Sequence, residues 1–217
     1  MAKTTRKRVS HRKREVCRDE PLHIGIQLLP GLPSMRTPGA KLVVFEAIRA
    51  MRGRFGFRIV EFAVMSNHIH MLCEAKNNDE LAAAMKSFKV RLARGFNKLW
   101  ERAGQVWADR FWSRVVRKVH ELRRLVRYIL LNGRRHGIQL PDDEPDWYTS
   151  GPWFPFWEGR WGQTFSKNPP PTERATYMAL QCARRFLIEL DDKPMPPPPL
   201  PDRRKRRRLF NVVQPAT

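Results

Sequence analysis

The chain is short of cysteine, of acidic residues and of long apolar runs, and each shortage removes a class of protein. Cys17, Cys73 and Cys182 are its only cysteines, widely separated and without a C-x-x-C spacing. They support neither a disulfide framework nor a zinc ribbon, and they fit a reducing cytoplasm. No apolar run approaches the ~18–20 residues that span a bilayer, and the N-terminus lacks a signal-peptide core, so a soluble cytoplasmic protein with no membrane partner is expected. Acidic side chains number 21 against 42 Lys and Arg, which leaves a formal charge of +21. An excess of this size points to a polyanionic partner, because basic groups that neutralise phosphates release counterions. A merely solubilising or ribosome-like charge is the bland alternative.

What is present suits one domain of ordinary size with extensions: 217 residues, 41% of them hydrophobic. Residues 1–20 carry eight Lys/Arg and three Asp/Glu with almost nothing apolar, and read as a basic disordered arm. Leu22 to Leu28 alternates apolar with small or polar residues, the period-2 mark of a half-buried strand. Residues 41–52 have helical spacing, with Leu42, Phe45, Ile48 and Met51 on one face. Phe57–Val64 and His68–Glu74 read as antiparallel strands joined at Ser66-Asn67. Asn78-Asp79 offers a helix cap, and Leu81, Met85, Phe88, Leu92, Phe96 and Leu99 form the stripe of the helix that follows.

Two segments leave alternatives open. Val106–Val116 is aromatic and basic at once, suited to stacking bases and pairing phosphates of single-stranded nucleic acid, or equally to an ordinary core crossing with a charged edge. Val119–Asn132 returns to helical spacing, with Gly133 where a C-terminal cap belongs. Beyond Pro141, four tryptophans lie within residues 147–161, which suggests an irregular segment packed over the domain. Thr172–Leu190 reads as a last helix, and Pro194–Pro201 as a stiff polyproline spacer. The spacer leads into Arg203, Arg204, Lys205, Arg206, Arg207 and Arg208, a run expected to touch phosphate.

The chemistry concentrates in Val64–Glu74. His68 and His70 are two apart in a strand, so both imidazoles project from one face and can share a metal ion, although such a pair is also a common structural arrangement. Tyr128 and Asn132 are four apart on a helix and project together. Asn132 could give an oxygen to a divalent metal, and Tyr128 a hydroxyl beside it. Local spacing equally allows Tyr128 a buried core role and Asn132 a helix-end role. His23 and His136 read as structural or surface residues, and His120 as a helix start.

Three strings in order, Met65-Ser66-Asn67-His68-Ile69-His70-Met71-Leu72, Gly104-Gln105-Val106-Trp107-Ala108-Asp109-Arg110-Phe111 and Arg127-Tyr128-Ile129-Leu130-Leu131-Asn132, resemble those of the REP-associated tyrosine transposases. These belong to the single-tyrosine HUH superfamily of DNA-nicking enzymes. The resemblance covers roughly residues 21–140 and implies an α+β fold, a ferredoxin-like antiparallel sheet with helices packed on it. It also implies His68, His70 and Asn132 as ligands of Mg²⁺ or Mn²⁺ and Tyr128 as nucleophile. The implied activity is that of a metal-dependent endonuclease and transposase for single-stranded DNA beside a hairpin, working through a 5′-phosphotyrosine. Arg110, Arg114 and Arg127 are candidates for phosphate contacts, and Trp107 and Trp112 for base stacking.

Relative to the family pattern, Ser66 and Gly133 stand where proline is usual. The corresponding domain plan is an arm over 1–20, a catalytic domain over 21–140, a Trp-rich segment and helix packed on it over 141–192, and a spacer with basic tail over 193–217. Pairing into a homodimer is open. The rival reading is a domesticated DNA- or RNA-binding protein of the same fold that has lost catalysis.

Overall fold

The computed structural model describes residues 20–141 and 144–154, together with Glu15 and Arg18. In strand β1 (Pro21–Gln27), Leu22, Ile24 and Ile26 enter one core, so His23, Gly25 and Gln27 face the other side of the sheet. Helix α1 (Pro38–Met51) begins ahead of the expected residue 41. The reason is its cap: Thr37 Oγ1 accepts from the Ala40 amide, and Pro38 suits the first helical position. Its buried stripe includes Val44, Phe45, Ala47, Ile48 and Met51, whereas Leu42 is 60% exposed. Leu42 lies about 200° around the helix from Val44, so the expected stripe holds at Phe45, Ile48 and Met51 and fails at Leu42.

Strands β2 (Phe57–Val64) and β3 (His68–Ala75) form the expected antiparallel pair, in register from Phe57 opposite Ala75 to Val64 opposite Ile69. A bulge between Ile59 and Glu61 shifts the alternation. Phe57 and Ile59 before it, and Phe62 and Val64 after it, therefore all reach the same core. Helix α2 (Asn78–Leu99) is capped by Asn77, one residue ahead of the expected cap; its Oδ1 accepts from the amides of Asp79 and Glu80 at 3.1 and 2.9 Å. The segment after α2 touches β1 through a bridge from Trp107 to Leu28, then becomes strand β4 (Trp112–Val115). Helix α3 (Val119–Leu130) is followed by one further turn, α4 (Asn132–Arg135).

The sheet order is β2-β3-β1-β4 and every pair is antiparallel, which makes the fold the expected ferredoxin-like α+β arrangement. Helices α1 and α2 cover one face, around Phe45, Phe62, Phe88 and Phe96. Helix α3 covers part of the other through Leu122, Val126 and Ile129 packed on Val60, Ala63 and Leu72. The two histidines of the His-x-His pair thus lie on an inner strand, on the face that carries α3.

Residues 144–154 fasten themselves to the free edge of β2. The Val64 amide donates to the Tyr148 carbonyl at 2.8 Å, and the Ser150 amide to the Phe62 carbonyl at 3.0 Å. Trp153 is buried against Phe45 and Phe62, with ring centroids 5.5 and 6.5 Å apart. Asp146 accepts both arms of Arg36, at 2.9 and 2.8 Å, while Arg36 stacks on Tyr148 and also donates to the Val64 carbonyl. This pair explains Gly133, which is buried inside α4 and is not the expected helix cap. A Cβ at Gly133 would stand 2.3 Å from Asp146 Oδ2. The turn ends instead at His136, with Gly137 following in the left-handed region at φ 76°.

Of the N-terminal arm, Glu15 is described: its carboxylate accepts from the Val115 amide at 3.0 Å and from Arg117 at 2.8 Å. The expected helix at 172–190, the proline spacer and the basic run from Arg203 lie outside the described residues.

Candidate active site

The site grows from strand alternation. Because His68 and His70 share a face of β3, their ring centroids stand 4.8 Å apart. β1 lies beside β3 with Gly25 opposite His70, which puts His23 diagonal to it. Nε2 of His23 is 3.2 Å from Nδ1 of His70. On the far side of His70, Nε2 is 3.2 Å from the hydroxyl of Tyr128 on α3. The result is a line of three hydrogen-bonding groups, His23–His70–Tyr128. His68 stands next to it with its Nδ1 2.8 Å from Asn67 Oδ1.

Electrostatics keep these imidazoles neutral. Burial pushes His70 down to about 4, helped by His68 and His136. Burial likewise takes His23 down to about 3, with His70 and Arg114 adding to the shift. His68 is lowered by burial and by His136. Neutral rings at neutral pH keep a lone pair each, which is what a metal ligand or a hydrogen-bond acceptor needs.

Asn132 is fully buried one helical turn beyond Tyr128, and neither its amide oxygen nor its amide nitrogen has a hydrogen-bond partner among the described residues. Buried polar atoms are almost always paired, so an orphaned amide marks a place for something else. No three His, Cys, Asp or Glu side chains converge as a metal site among the described residues. The third ligand that the family resemblance implies for an ion on His68 and His70 is the Asn132 amide oxygen, a buried acceptor without a protein partner among the described residues. Two imidazoles and one amide oxygen are a donor set that fits a divalent ion with coordination positions left for phosphate oxygens.

The other candidates separate into two groups. Trp112 belongs to the site: it is 47% exposed, stands edge-on to His23 at 4.6 Å, and lies over Gly25 so closely that a Cβ there would be 2.2 Å from its indole nitrogen. Arg114 sits opposite His23 across the β1–β4 pair, and half-buried Arg127 precedes Tyr128 on α3. Trp107 and Arg110 do not join them. Trp107 is 8% exposed in the core under α2, with its indole N–H donated to the Lys89 carbonyl at 3.0 Å. With Lys86, Lys89, Arg110 and Phe111 it lines a cleft of about 430 Å³ beside α2. The basic run at Arg203, Arg204, Lys205 and Arg206 lies outside the described residues.

Sequence reasoning passed over His23 and Arg135. Arg135 places its guanidinium 5.6 Å from the Tyr128 ring centroid, on the turn after Asn132. The signal for His23 was its parity: it occupies the polar half of the β1 alternation, the half that shares a face with His70 once β1 and β3 pair. That pairing is a long-range fact that periodicity does not carry.

Residues 35–131, a little under half of the chain, match the family model described as "Transposase IS200 like". A Haemophilus influenzae protein assigned to the REP-associated tyrosine transposases is 28% identical over 102 residues, covering 42% of this chain. The match spans 58% of that relative's length. Among solved structures, that of a REP-associated tyrosine transposase bound to a REP hairpin superposes with a TM-score of 0.51 at 18% identity, over 65% of this chain and 82% of that one. A transposase-like protein from Deinococcus radiodurans matches at 12% identity, over 61% of this chain and all of that one, but its TM-score of 0.39 is too low to bear on the fold. Residues 35–131 are thus similar to the IS200-like transposase family, and the resemblance of the motifs to the REP-associated tyrosine transposases points the same way.

Proposed function

We propose that the chain is a metal-dependent transposase that nicks and rejoins single-stranded DNA next to hairpins. The observation that carries this reading is the Tyr128 hydroxyl, 3.2 Å from Nε2 of one member of the His-x-His pair. A nucleophile and a metal ligand in contact are what a metal-assisted phosphoryl transfer requires. His68, His70 and Asn132 would hold the ion, of the Mg²⁺ or Mn²⁺ kind, and when bound it would polarise a non-bridging phosphate oxygen.

The chain's own groups do the rest. The Tyr128 hydroxyl gives up its proton and attacks phosphorus in line. A tyrosyl O–P bond forms to the 5′ side while the bond to the 3′ oxygen breaks, and that oxygen leaves as a 3′-hydroxyl on taking up a proton. The phosphotyrosine keeps the energy of the broken ester, so a second 3′-hydroxyl can reverse the step without ATP. An unperturbed tyrosine, with a pKa of ~10, needs such help to react. Arg114, Arg127 and Arg135 are placed to receive phosphates, and exposed Trp112 to stack a base beside them. The hairpin carried by the structural relative supports hairpin DNA as the ligand.

The test is direct. Protein, Mn²⁺ and a labelled hairpin-bearing single strand should give a denaturation-resistant adduct, and Tyr128→Phe should give none. A native protein without an adduct, or an adduct that survives Tyr128→Phe, would sink the reading.

A further inference from the structure

His23 is not accounted for by nicking chemistry as such, yet it is 9% exposed and its ring lies within hydrogen-bond reach of His70. An imidazole with both ring nitrogens engaged has two arrangements. Either His70 carries its proton on Nδ1 and presents a bare Nε2 to Tyr128, or it carries it on Nε2. The neighbouring histidine indicates which arrangement the site is built for. Nδ1 of His68 faces the amide oxygen of Asn67, which can only accept, so His68 is protonated on Nδ1 and its lone pair is on Nε2.

We propose that His23 is a positioning residue that does for His70 what Asn67 does for His68: its Nε2 accepts the proton of His70 Nδ1 and so fixes the lone pair of His70 on Nε2. Two ring contacts and a strand neighbour frame the His23 ring in that role. Trp112 packs edge-on at 4.6 Å, Tyr128 stands 5.9 Å away at 70°, and Arg114 lies opposite on β4. Gly25 contributes by absence, since any side chain there would lift Trp112 off the sheet. Partners of this kind behind a metal-binding histidine are worth about 10- to 100-fold in affinity. What the lone pair is used for rests on the reading above; the hydrogen bond itself belongs to the metal-free protein.

The experiment uses the full chain, labelled with ¹⁵N, without metal or DNA. Long-range ¹H–¹⁵N correlation should show His70 protonated on Nδ1 and bare on Nε2. In His23→Phe the Nε2-protonated form should appear and Mn²⁺ affinity should fall about 10- to 100-fold. His23→Gln, whose amide oxygen can accept the same proton, should restore the native tautomer. A native His70 protonated on Nε2 overturns the inference without any variant. So does a folded His23→Phe that keeps the native tautomer. If the tautomer shifts as expected while the native protein forms no DNA adduct, the role of His23 stands and the nicking reading falls.

Discussion

The Arg36–Asp146 pair reaches across more than a hundred residues to set the backbone at Gly133: the carboxylate that takes both arms of Arg36 fills the space a Cβ at Gly133 would need. Arg36 and Asp146 side chains are 11% and 2% exposed, so each depends on the other for its charge to be tolerated. Asp146→Ala should cost about 3–5 kcal/mol. Gly133→Ala should cost about 1–3 kcal/mol in the native background by crowding the carboxylate, and close to nothing once Asp146 is alanine. Urea unfolding of the two single variants and the double variant gives the coupling directly; additive effects would refute it.

Asn132 separates stability from function. An unpaired buried amide costs about 1–3 kcal/mol, so Asn132→Leu should stabilise the metal-free protein. It should also remove the rise in melting temperature that Mn²⁺ gives the native chain. Thermal melts with and without Mn²⁺ read both effects, and a native-like response to the ion would remove Asn132 from the ligand set.

Glu61 gives the fold a pH dependence away from the site. Burial raises its carboxyl to about 8 from an ordinary 4.5, opposed by its hydrogen bond with Ser150. The folded state therefore holds a proton that the unfolded state has lost, and stability is full below about 4.5 and falls as pH rises through about 8. Glu61→Gln should flatten melting temperature against pH between 5 and 8 and leave the variant more stable than the native chain at pH 8. Parallel profiles would disprove this.

Two tryptophans that look alike in sequence should behave oppositely. Trp107→Ala removes a core ring and should cost about 3–5 kcal/mol. Trp112→Ala should change stability little but weaken single-strand binding by roughly 1–3 kcal/mol. Unfolding curves and fluorescence anisotropy with labelled DNA separate the two.

The basic run should act through charge alone. Removing residues 202–208 should lower the slope of log affinity against log salt without abolishing adduct formation. An unchanged slope would mean that the run does not touch phosphate.

What sequence conveys here is local. His68 and His70 share a face by period two, Tyr128 lies on a helix marked by period 3.6, and the β2–β3 pair follows from two β-rich runs around a short turn. What it did not convey depends on distant partners. The bulge at Ile59/Glu61 leaves no mark in composition. Gly133 looked like a cap because Asp146 is far along the chain, and His23 looked structural because its neighbour His70 sits on a strand reached after a helix and a hairpin.

The attachment of residues 148–150 along β2 has a consequence for the company the molecule keeps. An open strand edge is a template on which another chain can add, and β2 would be one if the Phe62 and Val64 backbone groups faced water. Here Tyr148 and Ser150 occupy them, and at the opposite rim the Glu15 carboxylate takes the Val115 amide. A chain ended at residue 141 would keep all four strands but lose the first of these guards. It should be prone to self-association through its own sheet, so residues 148–150 serve as insulation against aggregation.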